Sequence, residues 1–415
     1  MATQKLMRAI GATARACLPL VVAVALLTTG CGRRRPTRPV TAPTAFQALE
    51  VKLVWHLGLS PSGEWLTFES MLQRGAEVVW SVSWLMPSTG GSPLPLEPPT
   101  IGSAFAVWSP TEEEIAYVRV AETNAVLVRT VEEPEPAVRT DFGDLWLSQL
   151  CWSPDGTKLA CLATDFVRRR NDPALIDAIT GQRHFARLQV PAAVSPLFFT
   201  ATGEHLVFAR GRPPQEPGQE PTQYLIRAST TTAEVTELAG LQADVCQLAV
   251  PTGDGVLVQL LRGAALAPGE PQRKELAVIS YESHDRPGEE QPVGTATSSI
   301  QSLGDGSFAS AQSLRERGGR LELLYERAGD LFIRPLAQGR MEDVLRVTDT
   351  PEAEAGAIFG VDGESVFFVR SVGSPTSSIG PQAPPTQVVR RNLSDGQETV
   401  LVVVTPELVK QVSKP

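Results

Sequence analysis

An all-β fold is what this sequence predicts, and more narrowly a β-propeller of seven four-stranded blades, with six or eight left open. Three observations carry that expectation. The 415 residues include 34 prolines and 34 glycines, a supply of turn formers that suits many short strands better than long helices. A hairpin-like stretch recurs seven times along the chain. Its copies stand about 45 residues apart, the length of one four-stranded blade.

The clearest copy is WSPDGTKLACL, Trp152 to Leu162. Its Ser-Pro step presets φ for the first turn position, Asp155 can bind nearby backbone amides, and Gly156 tolerates the positive φ that closes the loop. Alternating apolar runs on either side then pair as antiparallel strands. Before it stand LSPSGEWLTF (Leu59 to Phe68) and WSPTEEEIAYV (Trp108 to Val118). After it come FTATGEHLVFA (Phe199 to Ala209), AVPTGDGVLV (Ala249 to Val258), LRERGGRLELLY (Leu314 to Tyr325) and FGVDGESVFFV (Phe359 to Val369). The turn anchors are Gly63, Glu112, Gly156, Gly203, Gly253, Gly318 and Gly363, with steps of 49, 44, 47, 50, 65 and 45 residues. The 65-residue step reads as an insertion rather than an eighth blade. The large residues ahead of the turns (Trp108, Trp152, Phe199, Leu314, Phe359) fit wedges between neighbouring units better than ligand contacts.

A further alternating run follows each hairpin, as in IAYVRVAETNAVLVRTV (Ile115 to Val131) and LELLYERAGDLFIRPL (Leu321 to Leu336), and then a short strand such as VLRVTD (Val344 to Asp349). One such unit is too small to bury both its faces, so the ring of units must form the core. Either FQALEVKLVWHL (Phe46 to Leu57) or VLVVV (Val400 to Val404) can complete the first or last blade. The WSPDG-type hairpin with its IAYV or LACL strand resembles the TolB-like, PD40 (WD40-like) family of β-propellers across residues 46–405. That resemblance implies a non-catalytic binding or scaffold module in the periplasm, or the gating domain of a peptidase. No G-x-S-x-G nucleophile elbow occurs in the sequence, which weighs against peptidase activity.

Ahead of the repeats, residues 1–15 are basic, 16–29 are almost continuously apolar, and LLTTGC ends at Cys31. The apolar run falls short of the ~20 residues of a spanning helix and reads as the core of an export signal. LLTTGC resembles the lipobox of bacterial lipoproteins, with Thr28 where leucine is usual. The resemblance implies cleavage before Cys31 and lipid attachment at its thiol; an uncleaved signal anchor is the alternative. Gly32 in place of aspartate implies, by the same resemblance, the outer membrane facing the periplasm or the cell surface. Residues 32–45, with Arg33, Arg34, Arg35 and Arg38 among prolines, form a basic tether suited to anionic head groups. Residues 406–415 form a C-terminal tail.

From Phe46 onward 30 Lys and Arg stand against 46 Asp and Glu, a net charge near −16. Such a body argues against nucleic acid as a partner. Cys17 lies in the signal, leaving Cys151, Cys161 and Cys246 in the repeats. Cys151 and Cys161 flank the central turn at matching distances, so they are expected either as buried free thiols or as a cross-strand disulfide.

Function is the least legible property. Turns between the first and second strands of the blades fall on one face of the ring, and those between the second and third fall on the other. The second set contains long stretches, 165–173, 211–222, 262–273 and 373–386, which point to that face as a surface for a protein, peptide or glycan, or else are tolerated insertions. Arg168, Arg169 and Arg170 in the first of these suit a phosphate, carboxylate or acidic partner, or form a solvated hairpin. An exported glycan lyase or hydrolase is the alternative. It would work at the central channel, lined by VKLVWHL, SAFAVW, LWLSQLCW, VSPLFF, DVCQLAV, FASAQSL and AGAIF, with Asp144, Asp244 and Glu354 at its mouth. The four histidines (His56, His184, His205, His284) are scattered, and no HExxH, CxxC or EF-hand loop appears, so neither a metal nor a cofactor is expected.

Overall fold

The computed structural model describes residues 50–74, 77–98, 101–168, 170–184, 193–212, 222–232, 234–241, 245–252, 255–262, 273–280, 299–336, 344–372, 386–405 and 408. The export signal with Cys31, the basic tether and nearly all of the C-terminal tail lie outside these residues. Within them the chain forms seven antiparallel sheets of four strands.

Blade 1 holds β1 (Glu50–Leu59), β2 (Trp65–Arg74), β3 (Glu77–Pro87) and β4 (Leu94–Pro95), and blade 2 holds β5 (Gly102–Trp108), β6 (Glu114–Val120), β7 (Asn124–Thr130) and β8 (Val138–Gly143). Blade 3 holds β9 (Trp146–Trp152), β10 (Lys158–Asp165), β11 (Arg170–Asp177) and β12 (Arg183–His184). Blade 4 holds β13 (Ala193–Phe199), β14 (His205–Arg212), β15 (Thr222–Ser229) and β16 (Val235–Leu241). Blade 5 holds β17 (Val245–Thr252), β18 (Gly255–Arg262), β19 (Arg273–Ser280) and β20 (Ser299–Asp305). Blade 6 holds β21 (Leu314–Arg317), β22 (Arg320–Arg327), β23 (Asp330–Pro335) and β24 (Leu345–Arg346). Blade 7 holds β25 (Ala353–Phe359), β26 (Ser365–Ser371), β27 (Thr386–Asn392) and β28 (Glu398–Val404). Strand order in every sheet follows the chain. The long step of the repeat falls in blade 5, which has four strands among the described residues.

Alternation along each strand divides a blade's side chains between two neighbours. On β6, Ile115 and Tyr117 pack toward blade 1, while Ala116 and Val118 pack toward blade 3. The buried apolar residues accordingly form one layer at each of the seven blade interfaces. The seventh layer closes the ring. It brings Leu57, Leu59, Phe68 and Trp84 of blade 1 against Ile358, Phe367, Val388 and Leu401 of blade 7. Among the described residues no strand is exchanged at this seam: β1 and β28, from the two segments expected to complete a terminal blade, each pair within their own sheet.

The repeated turn is built as its residues dictate. In blade 3, Ser153 N–H donates to Lys158 O at 2.8 Å, and Gly156 N–H to Ser153 O at 2.9 Å. Ser153 Oγ takes the Lys158 N–H at 2.8 Å, and Asp155 accepts from Thr157 N–H at 3.1 Å. Gly156 has φ +71°, and a Cβ there would meet Thr111 Oγ1 of the blade 2 turn at 2.3 Å. Successive turns therefore stack. The residue before the turn is a wedge, as expected: Trp152 Nε1 donates to Val107 O of blade 2 at 3.1 Å, and Trp108 Nε1 donates to Gly58 O of blade 1 at 3.1 Å.

The two cysteines of blade 3 do not face each other. Cys151 pairs with Ala160, one residue short of Cys161, and a one-residue offset sends the side chains to opposite faces of the sheet. Cys161 enters the layer toward blade 2, and Cys151 packs toward blade 4. Both are free thiols, and burial pushes both upward, Cys161 to about 12. The side chain of Cys246 lies outside the described residues.

One expected strand is replaced. FASAQSL was to line the channel as the first strand of blade 6, but β21 begins only at Leu314 and spans four residues, after a 3-10 turn at Ala311–Ser313. Two polar residues of that segment find partners outside their own blade, Ser313 in blade 7 and Gln312 in blade 1.

Two outcomes test this packing. Phe367→Ala, at the seam, should lower the unfolding free energy by about 3–5 kcal/mol, read from the denaturant midpoint. Native-state alkylation followed by peptide mapping should leave Cys151 and Cys161 unmodified, with both labelled after unfolding; a disulfide-linked peptide would contradict the register.

Candidate functional site

A cleft of about 700 Å³ lies where blade 1 meets blade 7. It opens on the face of the short repeat turns. One wall is the β1–β2 turn, with Ser62, Gly63 and Glu64; the other is the β25–β26 turn, with Val361 and Asp362. Buried Leu59 and Phe367 and half-buried Trp65 make the floor. Ser88 and Thr89, after β3, extend the rim.

The walls stand this close because Gly63 carries no side chain: a Cβ would sit 3.2 Å from Val361 Cβ. Val361 itself remains 58% exposed. Arg390 of β27 lies over the Phe367 ring at 5.6 Å and pairs with Asp362 at 3.3 Å. Burial pulls the Asp362 carboxyl upward, but the Glu364 N–H, the Ser365 hydroxyl and N–H, and Arg390 together hold it below its ordinary value. The cleft thus combines an apolar floor with a cation and two carboxylates at its edge, Glu64 being exposed.

The expected basic run lies on an exposed hairpin. Residues 165–173 form a tight hairpin: β10 and β11 pair from Lys158↔Asp177 through to Asp165↔Arg170. Asp165 Oδ1 takes the N–H groups of Val167 and Arg168 at 2.9 Å each and so closes the turn. Arg168 pairs with Asp165 at 2.7 Å, and Arg170 with Asp172 at 3.1 Å. These four residues line a shallow pocket of about 200 Å³ with Leu145 and Ala163. Arg169 lies outside the described residues, as do 213–221, 263–272 and 373–385 of the long stretches.

Two of the three channel-mouth carboxylates, Asp144 and Glu354, fall within the described residues. Asp144 is exposed in the link between β8 and β9, and Asp244 lies outside. Glu354, on β25, is buried, and its Oε1 accepts from Arg370 Nη2 at 2.7 Å and from Thr350 Oγ1 at 3.0 Å. Arg370 also binds Glu398, which Arg391 holds at 2.7 Å. The hydrogen bond to Glu398, with Glu354, raises the Arg370 guanidinium further, against burial.

A feature absent from the sequence reading lies on the innermost strands. Each of β1, β5, β9, β13, β17 and β25 carries a register shift against its partner. At four of these bulges a residue has positive φ: His56 (53°), Phe105 (57°), Gln149 (58°) and Gly356 (67°). Each stands seven residues ahead of its turn anchor, Gly63, Glu112, Gly156 or Gly363. That spacing was the available signal. Bulges re-aim side chains and non-glycine residues in this region are costly, and His56 and Phe105 of adjacent blades meet at 5.9 Å.

Seven sequential sheets around a channel settle the architecture. The fold is a seven-bladed β-propeller. No protein-family model matches the sequence, and no curated protein does. Solved structures share the fold at low identity. The β-propeller domain of the trilobed protease from Pyrococcus furiosus, reported to have an open Velcro topology, aligns with a TM-score of 0.52 at 10% identity, covering 85% of this chain and 98% of that one. A prolyl endopeptidase aligns with a TM-score of 0.53 at 14% identity, covering 96% of this chain and 56% of its own. TolB from Acinetobacter baumannii aligns with a TM-score of 0.42 at 14% identity, covering 80% of this chain and 66% of its own.

Proposed function

We propose that this chain is a lipid-anchored, extracytoplasmic propeller that acts as a non-catalytic binding module and takes a peptide or protein segment in the cleft between blades 1 and 7. The cleft carries the reading. Its size lies within the range of ligand sites, and an apolar floor with a few polar groups at the rim is the composition such sites use. Val361 offers an exposed apolar contact beside Arg390 and Asp362, so a segment with one apolar and one charged side chain finds a partner for each. The lipid anchor rests on the basic, apolar and LLTTGC pattern that ends at Cys31. Glu354, committed to Arg370, favours binding over the exported-enzyme alternative.

Peptides selected from a displayed library on the full-length protein should bind Val361→Glu and Arg390→Ala at least about tenfold more weakly, ~1.4 kcal/mol. The pair Arg168→Ser, Arg170→Ser should bind them as the wild type does. Equal binding to all variants would sink the cleft reading. For the anchor, labelled fatty acid should enter the wild type and be lost from Cys31→Ala; label persisting in that variant would overturn it.

A further inference from the structure

Blade 6 departs from its own repeat. Where β1, β5, β9, β13, β17 and β25 run for 7–10 residues, β21 has four. The residues ahead of it leave the blade. Ser307 still bridges Glu326 on β22, with N–H···O distances of 3.0 and 2.7 Å. Then Ser310 caps the 3-10 turn, taking the Gln312 N–H on its hydroxyl at 3.2 Å. Ser313, fully buried, accepts from Ala309 and Ser310 N–H at 3.2 Å each and donates to Ala357 O of blade 7 at 2.8 Å. That hydroxyl has one proton and two lone pairs, and all are used.

This mounting carries Gln312 past blade 7 to blade 1. Its Oε1 accepts the Leu59 N–H at 2.9 Å, and its Nε2 donates to Leu59 O at 2.7 Å, across 253 residues of sequence. The pairing fixes the amide's orientation, because Leu59 offers one donor and one acceptor. A side chain thus supplies the equivalent of one ladder rung to the last residue of β1. Leu59 belongs to the seam layer and also lines the cleft. Among the described residues no strand is exchanged at the seam, and this rung adds to the apolar layer that joins its two sides.

We propose that Gln312 is the latch of the ring: it ties blade 6 to blade 1 across blade 7, limits local opening of the seam and, resting on the cleft reading above, positions the two cleft walls for a ligand. It touches no ligand itself. The latch requires both the amide and its length, so Gln312→Asn, one methylene shorter, fails like Gln312→Ala, whereas Gln312→Glu keeps the acceptor and loses the donor.

Hydrogen exchange of the full-length protein in detergent micelles, read by mass spectrometry, tests this. In Gln312→Ala and Gln312→Asn, fragments covering 57–60 and 357–361 should exchange roughly tenfold faster, as loss of two net hydrogen bonds implies. Fragments covering 158–165, in blade 3, should be unchanged, and Gln312→Glu should fall between. Unchanged exchange at 57–60 in both shortened variants overturns the latch. So does uniform acceleration in every blade, which would make Gln312 a general stabiliser. Should Gln312→Ala not fold, Gln312→Glu decides by the same fragments. Peptides selected on the wild type should bind Gln312→Ala more weakly. Faster exchange with unchanged peptide affinity overturns the positioning role alone, and absence of any peptide that binds the wild type counts against the cleft while the exchange result still decides the latch.

Discussion

No blade of this protein can stand alone, and everything else follows from that. A four-stranded sheet with both faces apolar needs a neighbour on each side. Ile115 and Tyr117 need blade 1 as much as Ala116 and Val118 need blade 3. Six such interfaces arise between units adjacent in sequence. The seventh joins the chain's first blade to its last, and among the described residues it is made by side chains, with no strand crossing it. Glycine at position 63, the packing of Phe367 and Trp84, and the reach of Gln312 all answer to that one demand.

Much of this was legible where the chemistry is local. The turn at Ser153 to Lys158 uses residues within six positions of one another, so its sequence announces its structure, and Trp108 and Trp152 announce their wedge role by preceding it. Register was harder. Cys151 and Cys161 are equidistant from Gly156, yet the turn spans six residues and its centre falls between Asp155 and Gly156, which puts the thiols on opposite faces. The arginine run was visible, whereas its pairing with Asp165 and Asp172 depended on how tightly the hairpin closes.

Blade 6 was the least legible for a physical reason. FASAQSL holds no charge, proline or glycine that would interrupt a strand. What diverts the segment is Ala357 and Leu59, 44 and 253 residues from the groups they bind. The cleft was missed in the same way. Its two walls are copies of the turn that looked plainest, and only the meeting of the first copy with the last makes a site. The anchor-minus-seven positions, His56, Phe105, Gln149 and Gly356, share no chemistry, so alignment by residue type hides a backbone feature they hold in common.

The strictly sequential blades also order the molecule's assembly. Every hairpin closes a loop within its own blade, while the seam joins strands about 300 residues apart, an entropic cost of roughly 5 kcal/mol by loop-closure scaling. Thirteen buried side chains in the closing layer offset it, but only after both terminal blades exist. Closure of the ring therefore needs both terminal blades at once, and the Leu59 backbone is paired only by a side chain 253 positions further along the chain.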